Sequence, residues 1–130
     1  KFKGEPLLAD SIAATPGRDT QGPTAQIKSV LKFNHFDAGS GFVFQNKFQK
    51  KMFNTEKGKT SFIALAKAFF AGGGQQYTIS VVSPDELLDA KEHPENYRNL
   101  IVRVGGYSDY FVNLNAELQD NVIKRTFMDV

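Results

Sequence analysis

The sequence predicts a mixed helix-and-strand fold of the α/β class, with an α+β arrangement as the alternative. Its 130 residues suit one compact domain, and the hydrophobic fraction of 41% is enough to form a core. Segments with apolar residues at every second position alternate along the chain with segments that repeat about every 3.6 residues. Glycine and proline separate these segments, as expected for turns between strands and helices.

Residues 1–22 are predicted to be irregular, because turn-forming residues crowd the stretch 15–23. Pro23 then suits the first turn of a helix, since its fixed φ is helical. This helix is predicted to end near Phe33. Its single apolar stripe consists of Ile27, Val30 and Leu31.

A glycine-rich turn at 39–41 precedes a predicted strand with one buried face. Its aromatic residues Phe42, Phe44 and Phe48 alternate with the polar residues Gln45, Lys47 and Gln49. An amphipathic helix is predicted over 60–71, and three glycines at 72–74 end it.

The second half of the chain predicts strand, helix, strand and helix in that order. The next strand alternates Tyr77, Ile79 and Val81. The run SPDE at 83–86 starts a helix with Ser83 as its cap, and this helix stops by His93 and Pro94. A strand over 100–104 leads into a glycine pair, and a last helix over 115–127 follows with Asn115 as its cap.

Composition narrows the classes of function. The chain has no cysteine, which excludes disulfides, thiolate metal sites and cysteine nucleophiles within it, and its two histidines are far apart. The net charge of +2 comes with no basic stripe, so nucleic-acid binding is not expected. No apolar run approaches a membrane span and no signal peptide opens the sequence, so we expect a cytoplasmic protein. The first residue is Lys1, which favours a processed piece or a fragment of a longer protein.

The glycine pair at 105–106 has three possible readings. A tight turn is the ordinary one. A phosphate-binding loop is a weaker one, because the full spacing of a nucleotide fingerprint is missing. The third is an α-carbon radical, which spreads its unpaired electron over both flanking peptide groups and needs a planar centre without a crowding Cβ. Such a radical also needs a packed shell, which Tyr107, Tyr110 and Phe111 are placed to supply in part.

The stretch from Gly73 to Thr126 resembles the C-terminal domain of the glycyl radical enzymes, the family of pyruvate formate-lyase. The shared runs are GGQ at 73–75, LLDA at 87–90, HPENY at 93–97, LIVRVGGYS at 100–108, QD at 119–120 and RT at 125–126. Upstream, GRDTQGPTA at 17–25 also resembles the family. This run and YSDYF at 107–111 are closer to its dehydratase, decarboxylase and lyase branch. The likeness begins as early as Leu7 and is weakest between Phe42 and Ser61.

The resemblance implies a specific role for Gly106, which matches the radical-carrying glycine, while Gly105 fills a variable position. In the family, a radical-SAM activating enzyme with an iron–sulfur cluster uses S-adenosylmethionine to remove a hydrogen atom from this glycine. The radical then passes to a cysteine, which this chain lacks. The resemblance therefore implies a partner segment that carries the cysteine, and a full enzyme that is a homo-oligomer.

The implied fold is the C-terminal portion of a ten-stranded α/β barrel with a buried glycine loop. Within it, residues 1–60 would end the barrel and residues 61–130 would form the glycyl radical domain. The chain would be a fragment or split subunit of an anaerobic, oxygen-sensitive lyase, not catalytic alone. The alternatives are a spare part for an oxygen-damaged lyase, or a non-catalytic binding module.

Other polar residues have ordinary interpretations. Arg103 either anchors the glycine loop or the activating enzyme, or forms an ordinary ion pair. Tyr107 is favoured as a packing residue, and His93 as a helix-end residue. Asp85 and Glu86 are expected to start a helix rather than to form an acid pair. A solvated face is expected for Lys47, Lys50, Lys51, Lys57 and Lys59.

Overall fold

The computed structural model of the chain describes residues 12–15 and 18–124. Within the described part, residues 12–15 and 18–21 form neither helix nor strand, as predicted. The predicted end of the last helix at 125–127 and the resemblance at Leu7 and at Arg125 and Thr126 lie outside the described residues.

Eight main elements follow one another, joined by turns and short 3-10 helices. They are α1 (Gly22–Val30), β1 (Val43–Gln49), α2 (Glu56–Ala71), β2 (Gln76–Val82), α3 (Pro84–Glu92), β3 (Ile101–Arg103), β4 (Ser108–Tyr110) and α4 (Ala116–Lys124). The predicted order of helices and strands is confirmed, except that β4 was not predicted.

The first two strands form a parallel pair joined by helix α2. Their register runs from Val43 opposite Gln76 to Gln49 opposite Val82. A parallel pair needs a crossover connection, and α2 is long enough to supply it. The described residues therefore contain one βαβ unit followed by a separate antiparallel hairpin, β3–β4. They confirm an α/β fold, and the two two-stranded sheets do not by themselves make a barrel.

Several predicted element ends differ from the observed ones. Helix α1 ends at Val30 rather than near Phe33. Helix α2 begins at Glu56, because the side chain of Thr55 caps it by accepting a hydrogen bond from the Gly58 N–H at 3.0 Å. Ser83 is the N-cap residue of α3, as predicted, although its side chain makes no cap hydrogen bond.

The prediction that β1 has one buried face is also wrong. Lys47 is buried, and its ammonium group donates a hydrogen bond to the backbone carbonyl of Val122 in α4. Helix α4 thus supplies a partner on the face of the strand that the alternation assigned to solvent. Lys47 therefore does not belong to the predicted solvated face, whereas the other four lysines of that group are exposed.

The buried hydrophobic residues of the described part form three clusters, the smallest of which contains Phe48 and Met52. An aromatic core lies around β1 and α2, where the ring of Phe44 stacks on Phe69 and Tyr77 at centroid distances of 5.3 and 5.2 Å. The C-terminal core, defined by its buried residues, consists of Val82, Leu87, Ala90, Val102, Val104, Phe111, Leu114 and Val122. The division of the chain after residue 60 stays a prediction, and it falls within α2.

Within the described part of the chain, no helix is long and apolar enough to cross a membrane.

Candidate functional site

The glycine pair forms the tip of the β3–β4 hairpin. The register pairs Ile101 with Tyr110 and Arg103 with Ser108, so residues 104–107 close the hairpin with 105–106 at its end. The backbone N–H of Val104 donates to the carbonyl of Tyr107 at 3.0 Å. The sequence predicted a turn here, and the structure makes it a turn between two strands. β4 has only three residues, too few for a period-two pattern to reveal it.

The base of the hairpin is held firmly by the C-terminal core. Val102 and Val104 are 4% and 7% exposed, and Phe111, which follows β4, is fully buried. The backbone N–H of Phe111 also donates to the carbonyl of Leu100 at 2.8 Å, which extends the ladder below the paired residues. The tip is therefore presented by a packed support rather than by a free loop.

Neither glycine of the tip is required by crowding or by backbone conformation. A Cβ built on Gly105 or Gly106 would meet no heavy atom within 4 Å, and neither φ lies in the left-handed region. Elsewhere the chain uses glycine where space demands it: a Cβ on Gly58 would lie 2.0 Å from the carbonyl oxygen of Met52. The fold of the described residues thus accepts a side chain at Gly106.

In this chain by itself the glycine loop is exposed, and its burial within the full barrel stays a prediction. Gly106 is exposed, and the side chains of Tyr107 and Tyr110 are 51% and 43% exposed. Only Phe111 of the predicted shell is buried, and it packs into the C-terminal core. The inward residues Val102 and Val104 fill that core, so the tip projects beyond it.

Arg103 lies in β3, three residues before Gly106, and is partly buried. Its Nη1 donates to the Oγ of Ser108 on the facing strand at 3.4 Å. This contact spans the strand pair next to the tip, and the anchoring role of Arg103 stays a prediction.

A polar cluster joins the end of α3 to the segment that leads into β3. The carboxylate of Asp89 accepts hydrogen bonds from the Tyr97 hydroxyl at 2.5 Å and from the His93 Nδ1 at 2.9 Å. These hydrogen bonds lower the pKa of Asp89, the one from Tyr97 most, and the Asp89 hydrogen bond raises the pKa of His93. His93 is the C-terminal cap of α3, which confirms that it is a helix-end residue.

Sequence reasoning missed this cluster. Its signal was the spacing of four residues between Asp89, His93 and Tyr97, which places the first two on one helix face. Tyr97 lies beyond the helix, and only the turn at Pro94–Asn96 brings its hydroxyl back to Asp89.

Comparison with known proteins identifies the family. The family model described as "Glycine radical" matches residues 8–112, a range that contains the whole hairpin. The chain is 40% identical over 119 residues to trans-4-hydroxy-L-proline dehydratase of Clostridioides difficile, covering 92% of this chain and 15% of that protein. It is 37% identical over 125 residues to the probable dehydratase YbiW of Escherichia coli (strain K12), covering 95% and 15%.

A solved structure agrees with these matches. The structure titled for 1,2-propanediol dehydration in Roseburia inulinivorans superposes with a TM-score of 0.87 and is 44% identical, covering 93% of this chain and 15% of that one. The chain therefore belongs to the glycyl radical enzyme family, in its dehydratase and lyase branch. It spans about 15% of the length of the relatives it matches.

Proposed function

We propose that this chain is the radical-bearing C-terminal part of a glycyl radical lyase, and that Gly106 carries the radical. The observation that carries the proposal is the glycine at an exposed tip whose fold does not demand glycine. Neither crowding nor φ accounts for glycine at 105 or 106. At Gly106 we propose a chemical requirement, because an α-carbon radical must be planar and flanked by two peptide groups. The family match over the same hairpin supports this assignment.

The exposed tip suits a site at which two different partners act on the same α-carbon. An activating enzyme has to reach the Gly106 α-carbon to remove one hydrogen atom, and the hairpin presents that carbon beyond the core. A cysteine thiol must later give its hydrogen atom to the same carbon and become the thiyl radical that attacks substrate. No cysteine occurs in the 130 residues, so this partner belongs to a segment outside this chain.

The packed shell that the radical needs is incomplete in this chain. Tyr107 and Tyr110 leave the tip open, so the wall that excludes dioxygen comes from the cysteine-bearing segment. We propose that this segment completes the ten-stranded barrel around the hairpin.

The radical-SAM activating enzyme, with its iron–sulfur cluster and S-adenosylmethionine, is proposed as the second partner. The reaction is then a lyase reaction of the kind the relatives are named for, such as a dehydration.

Electron spin resonance with two glycine variants tests the assignment. The assembled enzyme is incubated anaerobically with its activating enzyme and S-adenosylmethionine. We expect a doublet, from coupling to the remaining α-hydrogen, in the unaltered protein and in the matched control Gly105→Ala. Gly106→Ala should lose it, although both variants should fold, because a Cβ has free space at either position. A doublet that persists in Gly106→Ala would remove the assignment.

Exposure of the activated protein to air gives a second readout. The radical should react with dioxygen and cleave the backbone at Gly106, producing two fragments by mass spectrometry. Gly106→Ala should stay intact under the same treatment. An intact unaltered protein that had shown the doublet would contradict the proposal.

A further inference from the structure

A pocket of about 600 Å³ opens beside the first turns of helix α1. Residues 12–15 and 18–19 line it together with Phe33 and one face of α1, which runs from Gly22 to Val30. Its volume lies within the range of small-molecule sites. We call this space the α1 pocket.

The α1 pocket combines apolar side chains with a cationic one. Ile12, Val30 and Phe33 give it an apolar part. Arg18 is exposed, and no side-chain hydrogen bond or ion pair joins it to another residue of the described part. A guanidinium group with open donors in a partly apolar pocket suits a carboxylate, because the two carboxylate oxygens match its planar fork.

Gln26 adds a second donor, and a chain of hydrogen bonds fixes its direction. The Tyr77 hydroxyl donates to Asn46 Oδ1 at 2.8 Å, and Asn46 Nδ2 donates to Gln26 Oε1 at 2.5 Å. Burial raises the pKa of Tyr77, so its hydroxyl stays protonated and the chain keeps this direction. Gln26 is only 8% exposed, and no described residue accepts a hydrogen bond from its Nε2, which is left for the pocket that Gln26 lines.

The first turn of α1 contributes backbone donors to the same pocket. The N–H groups of a first turn have no intrahelical acceptors, and the side chain of the N-cap residue Gln21 accepts none of them. Among the described residues of this turn none is acidic, so the positive end of the helix dipole has no carboxylate of its own. Gly22 and Ala25 of this turn line the pocket. Guanidinium, amide and backbone donors therefore border one space.

We propose that the α1 pocket binds a small organic carboxylate, whose oxygens are held by Arg18, Gln26 and the first turn of α1. The apolar part of the lining favours an organic acid over inorganic phosphate, which leaves that surface uncovered. Asp19 is the one carboxylate among the described lining residues. It balances the charge of Arg18, so directed donors rather than net charge select the ligand. Radical storage at Gly106 makes no use of these residues.

Fluorine NMR of the assembled enzyme tests the inference, with benzoate as the probe. A 4-fluorophenylalanine at Phe33 reports on the pocket, and the same label at Phe36, which is 83% exposed and outside the lining, is the control. We expect benzoate to shift the Phe33 signal in a saturable way and to leave the Phe36 signal unchanged. Benzyl alcohol lacks the carboxylate and inorganic phosphate lacks the apolar part, so both should bind about tenfold more weakly or worse.

Two substitutions locate the donors. Arg18→Gln should weaken benzoate binding about tenfold or more, because it removes charge-assisted hydrogen bonds. Gln26→Glu should also weaken it, since the new carboxylate still accepts from Asn46 but places a negative oxygen where Nε2 was. The matched control Lys28→Gln removes a positive charge from an exposed residue of α1 outside the lining, and it should change binding by no more than about twofold.

Three results would each overturn the inference: no saturable shift at Phe33, equal binding of benzoate and benzyl alcohol, or equal binding of benzoate by the unaltered protein and Arg18→Gln. The comparison of probes uses the unaltered pocket, so it holds even where a substitution lowers the melting temperature. Binding is measured without activation, so a missing Gly106 doublet leaves this inference standing.

Discussion

Among the described glycines, some are required by packing and others are not. At Gly58 and Gly74 the neighbouring atoms leave no room: a Cβ would lie 2.0 Å from the Met52 carbonyl oxygen and 2.4 Å from the Phe69 ring. At Gly105 and Gly106 there is open space. A glycine that packing requires is a structural residue, whereas packing does not explain the glycines at the tip, and for Gly106 we propose a chemical reason.

Substitution of Gly58 by alanine tests whether packing requires glycine at this position. Gly58→Ala should destabilise the protein by about 1–3 kcal/mol, because the methyl group meets a backbone carbonyl that cannot rotate away. The matched control is Gly39→Ala, where a Cβ meets nothing within 4 Å and φ is not left-handed. Chemical denaturation of both variants measures the difference. Equal stability of the two variants would contradict the packing argument.

At the scale of an element, the C-terminal end of α3 directs the chain into the hairpin. Asp89, His93 and Tyr97 tie the last turn of α3 to the segment that leads to β3. Lys91 on the same helix pairs with Asp120 of α4 at 2.5 Å. These contacts lie on the surface, so they orient the connection while the buried residues Leu87 and Ala90 supply the packing energy.

The Asp89–His93 contact predicts a pH dependence of stability. The pKa of His93 is raised above 6.5 by the Asp89 hydrogen bond, so its contribution is complete below pH 6.5 and is lost as pH rises through the raised value. The pKa of Asp89 is lowered, so its contribution is complete above pH 3.8 and is lost as pH falls through the lowered value. The contact is strongest between these limits.

Asp89→Asn tests this dependence. The difference in melting temperature between the unaltered protein and Asp89→Asn should be largest between pH 3.8 and 6.5 and should narrow above that range. An NMR titration should show a lower His93 pKa in the variant. The control Asp85→Asn, at the other end of the helix, should leave the His93 pKa unchanged. A constant difference across pH would mean that His93 contributes nothing.

At the scale of the whole molecule, Lys47 connects the βαβ unit to the last helix. Its ammonium group donates a hydrogen bond to the backbone carbonyl of Val122 in α4. The ion pair of Lys50 with Glu86 at 2.5 Å adds a surface connection to α3.

Lys47→Met should therefore lower the free energy of unfolding by about 1–3 kcal/mol, because it leaves a buried carbonyl without its donor. Lys57→Met is the matched control, since Lys57 is exposed on α2 and methionine has a similar helix propensity. It should change the free energy by no more than about 0.5 kcal/mol. A similar small effect of both substitutions, in denaturant titrations, would show that the Lys47 contact contributes little.

Most elements could be predicted because their signals are local. The stripe of Ile27 and Val30, the glycines after α2 and the Asn115 cap each lie within a few residues of the element they define, and the Asn115 side chain does accept from the Leu118 N–H. The burial of Lys47 could not be predicted, because its partner Val122 is 75 residues away. Strand β4 is too short to leave a pattern.

The sequence by itself determined the family and the glycine that we propose as the radical carrier, because both depend on residue identity and order. The family match confirmed the first, and Gly106 stays a proposal. Only the tertiary structure decided that the glycine pair ends a hairpin, that the tip is exposed and that β1 and β2 pair in parallel. These features arise from contacts between segments distant in sequence, which periodicity does not report.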